Sequence, residues 1–156
     1  MGLDMYLCVK KIHRESGWME GVKVTYPQEL DVFNVEDTDK SVTHIDRYEI
    51  AYWRKANAIH NWFVNTCGDG IDECQLIEVS ADQLKDLRSK CIKVLANHDV
   101  AKEELPTASG FFFGGTEYDE YYFDIIKYTL KIVNNLLKLL CGPTGKEWVV
   151  EYQASW

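Results

Sequence analysis

The sequence predicts an α+β domain in which a mainly antiparallel sheet carries about three helices packed on one face. Three observations point there. Both ends of the chain alternate apolar and polar residues with a period of two, three segments between them carry helical apolar stripes, and neither terminal stretch has a helix crossover to a sequence neighbour. The first and last strands are therefore expected side by side in the middle of the sheet. At 156 residues, with no internal repeat, the chain fits a single domain over 1–156 that buries its own core.

In order, Gly2 to Lys11 reads as a strand, with Leu3, Met5, Leu7 and Val9 alternating with Asp4, Tyr6 and Cys8. His13 to Gly21 reads as a loop, and Val22 to Tyr26 as a short strand stopped by Pro27. Gln28 to Asp46 is polar and acidic without a sustained period, the pattern of a long excursion. A helix is predicted from about Tyr48 to Thr66, on the stripe Tyr52, Ala56, Ile59 and Phe63, and is ended by Gly68 and Gly70. Gln75 to Val79 reads as a strand. A second helix opens on the capping box Ser80 and Gln83, buries Leu84, Leu87, Cys91, Val94 and Leu95, and stops near Asn97. Val100 to Gly115 is a loop broken by Pro106. The longest helix is expected over about Glu117 to Leu140 with Thr116 as its N-cap, acids in its first turns and lysines later, the order that the helix dipole favours. Gly142 and Pro143 stop it. The closing strand places Trp148, Val150 and Tyr152 on one face.

Composition narrows the function. A net charge of −8 argues against direct binding to a nucleic-acid backbone, which needs clustered Lys and Arg. No stretch reaches the roughly 18 apolar residues of a membrane span. The N-terminal residues lack the pattern of a signal peptide, and Tyr6 stands where a myristoylation signal has Ser or Thr, so the cytoplasm is the expected compartment. Five scattered cysteines show no zinc spacing, and no metal or cofactor is expected. Cys67 and Cys74 bracket a turn and could approach each other, with a reduced pair favoured in a cytosolic chain.

The run Ser109 to Tyr122 is the most unusual. Three consecutive phenylalanines between glycines cannot share one face of a regular element, and such loops are commonly kept for binding. If the loop serves only as a hydrophobic plug, Phe111 and Phe113 are buried and Phe112 faces out. Glu117, Asp119 and Glu120 would repel an anion at the following helix start, so a cation, an amine or a basic protein surface suits it better. In the predicted first helix, Trp53, Arg54, Asn57, His60 and Asn61 present a ring, a guanidinium, two amides and an imidazole over two turns. With Phe112, Thr116, Glu117, Tyr118 and Asp119 they form the candidate ligand or partner surface, and Trp53, Asn57 and His60 are expected to face the Phe111 to Thr116 loop.

No nucleophile elbow, Walker motif or His-Glu-x-x-His motif is present, and no residue is assigned as catalytic. The alternative is a small hydrolase or transferase acting on a nucleotide or sugar phosphate. His60 would be its general base, Glu117 or Asp119 would orient it, and Arg54 would hold the charged group.

Met1 to Leu7, Tyr52 to Phe63, Gly110 to Tyr122 with the preceding Leu105 to Thr107, and the closing Tyr152 to Trp156 resemble a set of small uncharacterised bacteriophage and prophage proteins. These segments cover under half of the chain. The resemblance implies a phage-borne accessory role in the host cytoplasm and carries no activity with it. The resulting expectation is a non-catalytic protein that binds a host protein or a small nucleotide-like ligand, with inhibition of a host defence system as one concrete form. Self-association into a homo-oligomer is compatible with the same rings.

Overall fold

A computed structural model describes residues 2–14 and 43–156, with side chains over 2–11 and 47–156. The expected strand Val22 to Tyr26, the loop before it from 15 to 21 and most of the excursion after it lie outside the described residues, while His13 and Arg14, expected to open that loop, continue the first strand.

One four-stranded antiparallel sheet organises the fold. Its strands are β1 (Asp4–Arg14), β2 (Thr43–Arg54), β3 (Ile77–Val79) and β4 (Trp148–Ser155), in the order β2-β1-β4-β3. The first and last strands are thus the adjacent central pair, in a register that sets Leu7 opposite Tyr152 and Val9 opposite Val150. Period-two alternation puts Met5, Leu7, Ala51, Trp53, Ile77, Val79, Val150 and Tyr152 on the buried face. The other face carries Tyr6, Lys10, Arg47 and Glu151, where both cations pair with the Glu151 carboxylate.

The helices α1 (Asn57–Cys67), α2 (Ala81–Ala96) and α4 (Glu120–Leu140) cover the buried face, and a short α3 (Ala101–Glu104) follows α2. The Phe63 ring stacks on Tyr152, with centroids 4.0 Å apart and planes within 10°. The capping box of α2 forms in full: Gln83 N donates to Ser80 Oγ, and Ser80 N donates to Gln83 Oε1. Its stripe of Leu84, Leu87, Cys91 and Val94 is buried against α4, while Leu95 is half-buried. All five cysteines are free.

Two expectations about helix starts are corrected. Tyr48 to Arg54, and with them the end of the excursion from Thr43, belong to β2, and the helix begins only at Asn57. Pairing to β1 overrides the helical period, because β1 would otherwise be an edge and the aromatic and β-branched residues of 48–53 suit a pleated, half-buried strand. Ala51 and Trp53 turn inward, Tyr52 turns out, and Ile50 is the extra residue of a bulge where the register shifts between Leu7 and Cys8. Lys55, at φ 54°, then turns the chain from strand into helix. The N-cap of α4 is Asp119, whose Oδ1 accepts from Tyr122 N at 3.0 Å. Thr116 caps nothing. Its carbonyl accepts from the Thr107 hydroxyl and holds the preceding loop.

Candidate functional site

The loop Thr107 to Tyr118 is assembled from backbone groups that find partners on other elements. Asn57, in the first turn of α1 and 3% exposed, is the main one. Its Nδ2 donates to the carbonyls of Phe113 (3.0 Å) and Gly115 (2.8 Å), and its Oδ1 accepts from Ala108 N (3.1 Å). One side chain therefore satisfies three groups of a loop that has no ladder of its own. Leu3 N donates to Phe112 O at 2.9 Å, tying the loop to the start of β1. The Tyr118 hydroxyl accepts from Thr107 N, and the Tyr122 hydroxyl donates to Leu105 O. Burial pushes the Tyr122 phenol well above its ordinary value, which keeps it a donor. Two glycines make the path feasible. A Cβ on Gly110 would meet the Phe113 ring at 2.7 Å, and Gly114 sits at φ +85° with the Lys55 side chain against it.

This anchoring decides which phenylalanine is presented. Phe111 is 95% exposed, and Phe112 and Phe113 are half-buried. The plug arrangement expected of the loop is corrected, because the Leu3 bond at Phe112 and the Asn57 bond at Phe113 turn those two residues toward the protein and leave Phe111 at the tip. Phe111 and Phe112 meet edge to face at 4.9 Å.

Beneath the loop lies a buried polar chain. The His60 ring packs edge-on to Phe113 at 5.0 Å and is 2% exposed. Its Nε2 is 3.0 Å from Asp72 Oδ2, and its Nδ1 is 2.6 Å from the Tyr152 hydroxyl. A carboxylate only accepts, so Nε2 carries the hydrogen, and Nδ1 then accepts from Tyr152. Burial raises the Tyr152 phenol well above its ordinary value, in keeping with its role as donor. Trp156 Nε1 donates to the other Asp72 oxygen at 3.3 Å.

The expected surface divides accordingly. Asn57, His60, Phe112, Thr116, Glu117, Tyr118 and Asp119 gather around the loop. Trp53 does not. It lies on β2, 3% exposed, with Nε1 donating to Thr129 Oγ1 under α4, so it faces the core and not the loop. Arg54 is exposed on the same strand, in a groove with Tyr121 and Tyr128. Asn61 is half-buried, and its Nδ2 lies 3.5 Å from Pro106 O, at the root of the loop.

A cleft of about 260 Å³ opens between the start of α1 and the start of α4, with Lys55, Asn57, Gly115, Glu117, Asp119 and Tyr121 among its walls. His60 and Arg54 are not among the lining residues. The dyad that a base would need is present in His60 and Asp72, yet both ring nitrogens are engaged and the ring lies below the surface. Sequence reading missed Asp72 as the His60 partner, Lys55 as a cleft wall, and Phe111 as the outward ring. Only a contact map would have found these.

Among the described residues no group of three or more His, Cys, Asp or Glu is placed to hold a metal ion, and no helix is long and apolar enough to cross a membrane. Comparison with protein-family models, with curated proteins and with solved structures finds no match.

Proposed function

We propose that this chain is a non-catalytic, phage-type accessory protein that binds a host protein through the Phe111 loop, with inhibition of a host defence system as its concrete form. The supporting observation is the exposed Phe111 ring at the tip of a loop that Asn57, Leu3 and Tyr118 hold in one conformation. A large ring kept in water by a fixed backbone makes a good interface anchor, because little ordering is left to do on association. Glu117, Asp119 and Glu120, exposed where the loop runs into α4, favour a basic surface on the partner. The carboxylates Glu117 and Asp119 in the adjacent cleft disfavour a phosphate-bearing ligand there.

Capture from host lysate tests this with wild type against Phe111→Ala, a substitution that removes no contact with the core. Proteins retained by the wild type are expected to be lost with Phe111→Ala and kept with an exposed substitution remote from the loop, such as Lys146→Ala. Equal recovery by wild type and Phe111→Ala refutes the loop as the binding surface. The hydrolase alternative predicts phosphoester turnover that disappears in His60→Ala.

A further inference from the structure

At the far end of α4, a groove of about 360 Å³ runs between α2 and α4, lined by Lys85, Arg88, Asn134, Leu137, Lys138 and Cys141. Three of these six residues are cations and none is an acid, in a chain whose net charge is −8. Outside the groove six cations pair with carboxylates, Lys10 and Arg47 with Glu151, Lys11 with Glu147, Lys90 and Lys93 with Glu104, and Lys127 with Asp124, while Lys55, Lys102, Lys131 and Lys146 stand apart from one another with no ion pair among the described residues. In the groove only Lys85 has a carboxylate, Asp82 one turn before it. Arg88 and Lys138 meet none among the described residues.

Arg88 is also oriented. Its Nε donates to Asn134 Oδ1 at 2.7 Å, across from α2 to α4. That bond fixes the guanidinium plane, and its remaining four donors meet no protein acceptor among the described residues. The helix dipole accounts for Lys138, which sits in the last turn of α4, but not for Arg88 in the middle of α2. A planar fork held at one corner, with two flexible ammonium groups near it, suits an oxyanion that accepts two parallel bonds from the fork and charge from the lysines. Leu137 and Cys141 add an apolar wall for the body that carries the anion. A space of this size suits a small molecule, and the overall negative charge opposes a long polyanionic strand.

We infer that the groove between α2 and α4 is a binding site for a small phosphate-bearing molecule, with Arg88 as the fork that grips the phosphate and Lys85 and Lys138 as its flanking charges. The site is separate from the Phe111 loop and does not depend on it.

Inorganic pyrophosphate, titrated into the full chain at low ionic strength and followed by amide NMR shifts, tests the assignment. Saturable shifts are expected in Arg88, Asn134 and the turn from Leu137 to Cys141, with none in the Phe111 loop. Arg88→Gln should weaken binding about tenfold or more, as the loss of charge-assisted bonds requires. Arg88→Lys, which keeps the charge but not the fork, should also weaken it. Lys131→Gln, on the same helix but outside the groove, should leave it unchanged. Absence of saturation, an unchanged affinity in Arg88→Gln, or an equal loss in Lys131→Gln overturns the site. Preference for a short oligothymidylate over pyrophosphate overturns the small-molecule assignment.

Discussion

The two ends of α4, about 32 Å apart over its 21 residues, present opposite kinds of surface on opposite kinds of support. At the N-terminal end an acidic, aromatic loop is shaped by buried side chains, Asn57, which bonds to its backbone, and Tyr122, which holds Leu105 just before it. At the C-terminal end a basic groove is made of exposed side chains on two regular helices, with one interhelical hydrogen bond to order it. The loop's shape is thus part of the core, whereas the groove's charge rests on a scaffold that stands without it. Substitutions of the buried side chains that shape the first end should alter stability and binding together, whereas the exposed Phe111 can be removed for binding alone. At the second end substitutions should alter binding alone.

The largest effect is expected beneath the loop. Phe63→Ala removes the ring stacked on Tyr152, whose hydroxyl holds His60 under Phe113, and should cost about 3–5 kcal/mol in urea unfolding as a core aromatic truncation. Asn57→Ala comes next. It strands loop backbone groups, each worth about 1–3 kcal/mol when buried without a partner, and amide exchange should quicken from Ala108 to Gly115 while α2 stays protected. Gly114→Ala forces a side chain into the left-handed region and should destabilise by about 1–2 kcal/mol. Arg88→Gln, by contrast, should change stability by no more than about 0.5 kcal/mol, as an exposed helical substitution. An Arg88→Gln protein as unstable as Asn57→Ala would erase the distinction between the two ends.

The cysteines divide along related lines. Cys141 is exposed in the groove, and an alkylating reagent should label it in the native state. Burial pushes the Cys67 and Cys91 thiols from 9.0 up to about 12, so fully buried Cys91 should react only as the chain unfolds and half-buried Cys67 more slowly than Cys141. The folded state keeps these two protonated where the unfolded chain would release the proton. Their contribution is therefore complete below about pH 9 and is lost as the pH rises from there toward 12. The urea midpoint should fall as the pH is raised above about 9, and a smaller fall in Cys91→Ala would assign part of the slope to that thiol.

The sequence made local signals legible and left long-range choices hidden. The α2 start was readable to the residue, because Ser80 and Gln83 satisfy each other within one turn. The central pairing of β1 with β4 was readable from two strong alternations. The β2 strand was not, since Tyr52, Ala56, Ile59 and Phe63 fit a helical stripe and only the free edge of β1 decides against it. At the site, the loop and the surroundings of Asn57 and His60 were singled out. Which Phe faces water depends on Leu3 and Asn57, more than fifty residues away in sequence. The groove was legible only in halves: Lys85 and Arg88 share a face of α2, but the packing that brings Lys138 beside them is tertiary.

The loop's attachments have a consequence for how the molecule can be joined to others. Leu3 donates its amide to Phe112 O, and the Trp156 ring lies 6.4 Å from Phe113, so both described ends of the chain lie beside the aromatic loop. A domain or label fused at either end would stand beside Phe111 and compete with any visitor to it. The turn at Pro143 and Thr144, exposed just past the other end of α4, is where an inserted passenger would leave the loop open.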